Sequence, residues 1–140
     1  MDTIRWKLHV PVDPAKVFDA LNSDDGRASF WAESAVEHEG VIYFDFINGM
    51  SYQSRVLHRE PAKRFSIDYF GAVATFELAP DGAGGTDVTL THEGVAADKW
   101  TEVHAGWLNV LFPLKAWLAF GVDLRSHDRK RLWDDGYVDQ

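Results

Sequence analysis

The sequence predicts an α+β domain in which a curved, seven-stranded antiparallel sheet wraps around one long C-terminal helix, with two short helices after the first strand. Two patterns predict this fold class. Successive strand-like stretches are joined mostly by short turns, which favours an antiparallel meander. A single stretch from 98 to 120 then carries apolar residues at the three-and-four spacing of one helical face.

The first strand is predicted from Thr3 to Val12, because apolar and polar side chains alternate along it. Its apolar residues are Ile4, Trp6, Leu8 and Val10. Asp13-Pro14 predicts the start of a helix, since aspartate caps a first turn well and proline suits the first helical position. The polar segment Asn22–Gly26 ends that helix and precedes a second short one, predicted from Gly26 to Trp31.

Six further strands are predicted between turn residues. Their expected bounds are Glu33–His38, Val41–Ile47, Met50–Arg59, Lys63–Phe70, Ala72–Ala79 and Thr86–Val95. Asn48-Gly49 is the strongest hairpin signal, because both residue types tolerate a positive φ. The glycine-rich segment Asp81–Gly85 predicts a loose hairpin loop, since no helix follows it.

The long helix is predicted to run from about Asp98 to Phe120. At about 1.5 Å per residue it would be about 33 Å long, enough to cross a sheet. Pro113 lacks a backbone donor and predicts a kink within the helix. Gly121 predicts its end.

Residues 1–140 are expected to form a single domain, with 121–140 as a polar C-terminal tail packed on it. The tail is predicted to pack through Trp133 and Tyr137. Its Arg125-Ser126-His127-Asp128 segment is interpreted as a turn rather than a catalytic cluster, with Asp128 capping a short helical segment that ends near Trp133.

Composition narrows the partners and the compartment. The formal net charge of −8 disfavours binding to nucleic acids and to anionic lipid surfaces. The apolar stretch from Ala105 to Val122 contains Asn109, Pro113 and Lys115, so we interpret it as a core helix rather than a membrane span. The chain has no cysteine and no signal-like N-terminus, and we therefore expect a cytoplasmic protein.

Several local features carry a family resemblance. They are the opening strand that runs into Val12–Phe18, the Asn48-Gly49 hairpin, Gly106-Trp107 followed by Leu111 and Leu114, and the aromatic ending from 133 to 140. With the order of elements, they resemble the START-like superfamily, also called SRPBCC or helix-grip, which includes the birch-pollen allergen. The chain looks most similar to the bacterial branch named after the activator of the 90-kDa heat-shock protein ATPase.

The resemblance implies a hydrophobic cavity between the sheet and the C-terminal helix. Functions in such families range from lipid and hormone binding to ring closure of polyketides. The eukaryotic co-chaperone carries a second, N-terminal chaperone-binding domain for which these 140 residues leave no room, so we do not expect chaperone activation itself.

No residue pattern predicts a cofactor or a metal site. The six histidines fall on different predicted elements or in the tail and share no close ligand spacing. His104 differs from the others because it lies on the apolar face of the long helix, one turn before Leu108. A buried imidazole requires a partner. That partner is either a strand residue or a ligand that His104 orients, or on which it acts as an acid or base.

We expect the chain to bind a small hydrophobic molecule rather than to be an enzyme. The candidate lining residues are Trp6, Leu8, Phe30, Trp31, Tyr43, Tyr52, Phe76, His104, Trp107 and Leu111. One alternative is a cyclase- or hydrolase-like enzyme acting on an aromatic or polyketide substrate through His104. Another is a stress- or chaperone-related interaction module, or a homodimer, because Phe112, Trp117 and Phe120 give the helix a second apolar face.

Overall fold

The computed structural model describes residues 2–140 and confirms the α+β fold class. Seven antiparallel strands form one sheet in the order β1-β7-β6-β5-β4-β3-β2. They are β1 Thr3–Val10, β2 Ser34–His38, β3 Val41–Asp45, β4 Ser51–Glu60, β5 Arg64–Tyr69, β6 Ala72–Pro80 and β7 Thr86–Glu93. Each bound lies close to its predicted position. β1 pairs along its whole length with β7, the last strand of the chain.

Two short helices, α1 (Pro14–Asn22) and α2 (Asp24–Phe30), follow β1. The Asp13 side chain accepts a hydrogen bond from the Lys16 N–H at 3.0 Å, as expected of a helix cap. Ser23 caps α2, so this helix begins two residues before the predicted Gly26.

Gly26 allows α1 and α2 to pack closely together. A Cβ atom at this position would lie 2.4 Å from the carbonyl oxygen of Ala20. Any residue with a side chain would therefore force the two helices apart.

The sheet bends because several hairpins are tight and one strand is irregular. Glu39-Gly40 and Phe70-Gly71 both have positive φ, which suits the twist of two-residue hairpins. The register of β4 against β5 shifts between Val56 and His58, and such a bulge increases strand curvature. The predicted Asn48-Gly49 hairpin is a longer loop, because β3 ends at Asp45 and β4 begins at Ser51.

The predicted long helix is divided into α3 (Trp100–Gly106) and α4 (Leu108–Phe120), with the interruption at Trp107 rather than at Pro113. The His104 carbonyl lies at this interruption and accepts a hydrogen bond from the Trp6 indole at 2.9 Å. The Trp6 side chain thus occupies a carbonyl oxygen that would accept a backbone N–H if the helix were continuous. Pro113 lies inside α4, and Gly121 ends that helix at φ 65°, as predicted.

α4 packs on the concave face of the sheet through Val110, Leu111 and Leu114, all of which are buried. Its opposite side exposes Phe112 and Phe120. Among residues 2–140, no helix is long and apolar enough to cross a bilayer.

Replacing Leu114 with alanine should lower the free energy of unfolding by about 2–5 kcal/mol, because the side chain is fully buried and leaves a cavity. Leu57→Ala on β4 is the matched control. That side chain belongs to a residue that is 48% exposed, and its loss should change stability by about 0.5 kcal/mol or less. Urea denaturation measures both values, and similar losses for the two variants would contradict the assignment of the buried face.

Candidate functional site

Aromatic side chains fill the space between the sheet and the C-terminal helices. The ring of Trp31 lies with its centroid 5.0–6.0 Å from five other aromatic rings. These belong to Phe30, Phe44, Tyr69, Phe76 and Trp107. The middle of the domain is therefore a packed core, and the open volume lies at one end of it.

A buried histidine of β7 connects the α3–α4 junction to the sheet. The Trp107 indole Nε1–H donates to Nδ1 of His92 at 3.0 Å. Since Nδ1 accepts, the proton of the neutral ring lies on Nε2, which donates to the Tyr69 carbonyl at 3.0 Å. Burial lowers the pKa of His92, and the hydrogen bond to the Tyr69 carbonyl only partly offsets this. His92 is thus a neutral structural link.

The Tyr69 hydroxyl lies at the end of the same aromatic cluster. It accepts a hydrogen bond from the Trp31 indole at 3.1 Å. Burial raises the pKa of Tyr69, so the phenol keeps its proton. Within residues 2–140, no acceptor for that proton is within hydrogen-bonding distance, and a donor therefore remains free at this position.

A groove opens beside Tyr69, which we call the mouth groove. Its volume is about 320 Å³, and an adjoining cavity of about 260 Å³ shares Tyr69, Gly106 and Trp133 with it. The β3–β4 loop forms one wall, the α3–α4 junction a second, and the C-terminal tail a third. Trp31 and Tyr69 line the groove on the side of the aromatic cluster.

Arg125 anchors the tail wall. Its guanidinium donates to the carbonyls of Ala32 and Ala28, each at 2.7 Å. The same group contacts both carboxylate oxygens of Asp123, at 2.9 and 3.0 Å. A charge that is this buried is stable only with such partners.

His127 makes a second polar contact between the tail and the segment before β2. Its two ring nitrogens lie 2.7 Å from Asp123 and 2.5 Å from Glu33. The hydrogen bond to Asp123 raises the pKa of His127, partial burial lowers it, and the contact with Glu33 raises it further. Burial alone would raise the pKa of Asp123, but hydrogen bonds from Arg125 and His127 lower it.

The structure brings few of the predicted lining residues to the mouth groove. Trp31 lines the groove and Trp107 the adjoining cavity. Phe30, Phe76 and Leu111 are buried in the packed core. The remaining four candidates on strands divide between the concave face and the outside of the sheet.

Trp6 and Leu8 of β1 are partly buried against the core. Tyr52 packs on Phe70 and bonds to Asp68, close to the groove but outside its lining. Tyr43 needs correction, because it lies on the outer face of β3 between the buried Ile42 and Phe44 and is 42% exposed.

His104 stacks between two indole rings instead of pointing toward the groove. Its ring centroid lies 4.3 Å from that of Trp6 and 4.5 Å from that of Trp100. The indole of Trp100 also donates to the Thr3 carbonyl at 3.0 Å. The imidazole therefore helps to join α3 to β1, and the geometry gives it no acid–base position at the groove.

Tyr69 and Arg125 line the groove but were not among the lining residues predicted from the sequence. Tyr69 follows the alternation of β5, since Phe65 and Ile67 are also buried, and this pattern was available from the sequence. The Arg125–Asp128 segment is more than the predicted turn, because its partners lie in α2 and just before β2. The tail packs through Arg125 and Trp133, whereas Tyr137 is exposed.

The chain matches one known protein family over most of its length. Residues 11–119 match the profile described as activator of Hsp90 ATPase homolog 1-like protein. The chain belongs to this family. The result confirms the predicted START-like resemblance and its bacterial branch. No protein with a curated description matches the chain significantly.

Solved structures show the same fold for this family member. The Aha1 dimer from Colwellia psychrerythraea has 24% identity and a TM-score of 0.77, with 86% of this chain and 98% of that one covered. Protein SSP2350 from Staphylococcus saprophyticus has 23% identity and a TM-score of 0.76, covering 88% and 96%. DynU16, from the dynemicin biosynthetic locus, has 22% identity and a TM-score of 0.74, covering 88% and 49%.

The contacts of His127 with Asp123 and Glu33 should make the free energy of unfolding depend on pH. A raised pKa means that its contribution is complete below about pH 6.5, the ordinary histidine value, and is lost as the pH rises through the raised pKa. His127→Asn suits the backbone, because asparagine tolerates the φ of 53°. The variant should be less stable than the parent chain at pH 6, and the difference should shrink toward pH 9.

Denaturant unfolding at several pH values measures this difference. His38→Asn is the control, because His38 is well exposed and lies 3.9 Å from its only carboxylate partner in residues 2–140. A stability difference between the parent chain and His127→Asn that stays constant with pH would contradict a contribution from protonated His127.

Proposed function

We propose that this chain binds a small, largely apolar molecule in the mouth groove. The observation that carries the proposal is the cavity itself, which lies between the packed aromatic core and the fastened tail. Its volume falls at the lower end of the range for small-molecule pockets, about 300–1,000 Å³. Aromatic groups at one side and polar groups at the rim are the usual composition of such sites.

The Tyr69 hydroxyl supplies the orienting contact in this proposal. Its acceptor position is used by Trp31, and its free O–H donor suits a carbonyl, ether or hydroxyl oxygen on the ligand. The apolar part of the ligand would lie against Trp31, Val110 and Trp133, where burial contributes about 25 cal/mol per Å² removed from water.

Gly106 allows the groove to be blocked without disturbing the core. A Cβ atom at this position meets nothing within 4 Å, and Gly106 lines both cavities. Gly106→Leu should fill the space and weaken binding of a neutral aromatic probe, 1-naphthalenemethanol, by at least about tenfold. Because glycine in a helix is about 0.5–1 kcal/mol less favourable than alanine, folding should not suffer.

Tryptophan fluorescence titration measures this binding, and Gly106→Ala is the matched control. The alanine variant has the same backbone change but fills little of the groove, so it should keep the parent affinity within about threefold. Equal affinity of the parent and the leucine variant would place the ligand elsewhere, and no binding of the probe at micromolar to millimolar levels would contradict the proposal.

A second proposal is a homodimer formed through the outer face of α4. Phe112, Phe120 and Leu124 are 50–75% exposed, and Lys115 is the one charged residue of α4. A continuous apolar face of this kind is typical of interfaces between subunits. The Aha1 protein from Colwellia psychrerythraea was solved as a dimer.

Phe120→Gln should shift the chain from dimer toward monomer, because Phe120 is 75% exposed at the end of this face. Val73→Gln on the outer side of β6 is the control and should leave the assembly unchanged. Light scattering over a range of concentrations reports the mass, and a parent chain that stays monomeric at about 100 µM would reject the dimer at cellular concentrations.

A further inference from the structure

The charges around the mouth groove are unbalanced. Glu33, Glu102 and Asp134 line it together with a single cation, Arg125. Arg125 is already paired with Asp123, and Glu33 with His127. Within residues 2–140, Glu102 and Asp134 have no cationic partner within 4 Å. The rim therefore carries net negative charge that the protein itself does not neutralise.

Aromatic rings line the same groove as these carboxylates. Trp133 and Phe46 line the groove, and Trp133 has no aromatic partner of its own in residues 2–140. The electron-rich face of an indole attracts cations, and this attraction adds to that of nearby carboxylates. An anion here would meet two unpaired carboxylates and no free cation.

A third observation separates this groove from a solvated acidic surface. Tyr69 is 9% exposed and lines both cavities, and its O–H proton has no protein acceptor in the described residues. The hydroxyl oxygen already accepts from the Trp31 indole, so the O–H is a donor available to a bound molecule. It would orient the body of a ligand that carries an acceptor oxygen, separately from the charged group.

We propose that the mouth groove selects ligands in which a positively charged amine is attached to an aromatic or aliphatic body. The amine lies at the rim, toward Glu102 and Asp134, and the apolar body lies against Trp31 and Trp133. This inference rests on the proposed binding function and adds the charge of the ligand to it. Fatty acids and other carboxylates are disfavoured.

Three probes with one ring system test the charge preference. They are 1-naphthylmethylamine, 1-naphthalenemethanol and 1-naphthoic acid, which at pH 7 are cationic, neutral and anionic. We expect the amine to bind most tightly and the acid most weakly, with a ratio of dissociation constants of at least about ten. Raising the salt concentration should reduce this ratio, because exposed charges are screened.

Two variants assign the preference to the rim. Glu102→Gln should lower the amine-to-acid ratio by about threefold, and Asp134→Asn should act in the same direction. Glu77→Gln is the matched control, because Glu77 is an exposed glutamate of β6 that faces Arg64 and is absent from the groove lining. It changes the net charge equally and should keep the ratio.

The outcomes separate this inference from the function on which it rests. If none of the three probes binds, both the ligand-binding function and the charge selection are rejected. If the alcohol binds and the amine has no advantage over the acid, only the charge selection is rejected. A Glu77→Gln variant that lowers the ratio as much as Glu102→Gln would also reject it, since the effect would then come from overall net charge.

Discussion

The hydrogen bond from the Trp107 indole to His92 determines where the C-terminal helices lie on the sheet. Both groups are buried, so a donor or acceptor left without its partner would cost about 1–3 kcal/mol. His92 passes the constraint on to the backbone of β5 through the Tyr69 carbonyl. The position of Tyr69, and with it the floor of the mouth groove, therefore follows from one buried contact between the α3–α4 junction and β7.

The mouth groove also depends on contacts between parts of the chain that are far apart in sequence. Arg125 contacts carbonyls of residues 28 and 32, and the wall that it anchors faces the β3–β4 loop. Aromatic packing makes the centre of the domain rigid, while polar contacts hold its open end together. This division is suited to a site whose apolar surface is preformed and whose rim sets the charge of what enters.

The strands and short helices could be predicted because their signals are local. Alternation of apolar residues defines β1, and Asp13 and Ser23 cap the helices that follow. The interruption at Trp107 could not be predicted, because it depends on a hydrogen bond to the His104 carbonyl. The donor is the indole of Trp6, which lies 98 positions before His104. The orientation of His104 depends on the same stacking contacts. Periodicity places a side chain on a helix face but does not say which partner lies opposite that face.

The pairing of β1 with β7 has a consequence for how the chain folds as it leaves the ribosome. Residues 3–10 find their partner only when residues 86–93 have been made. Until then Trp6 and Leu8 have no neighbouring strand, and the apolar side of the unfinished sheet remains open to water. Long-range pairing of this kind slows folding and extends the time during which nascent chains can aggregate. The hydrophobic layer is thus completed late in synthesis, after β7 has been made.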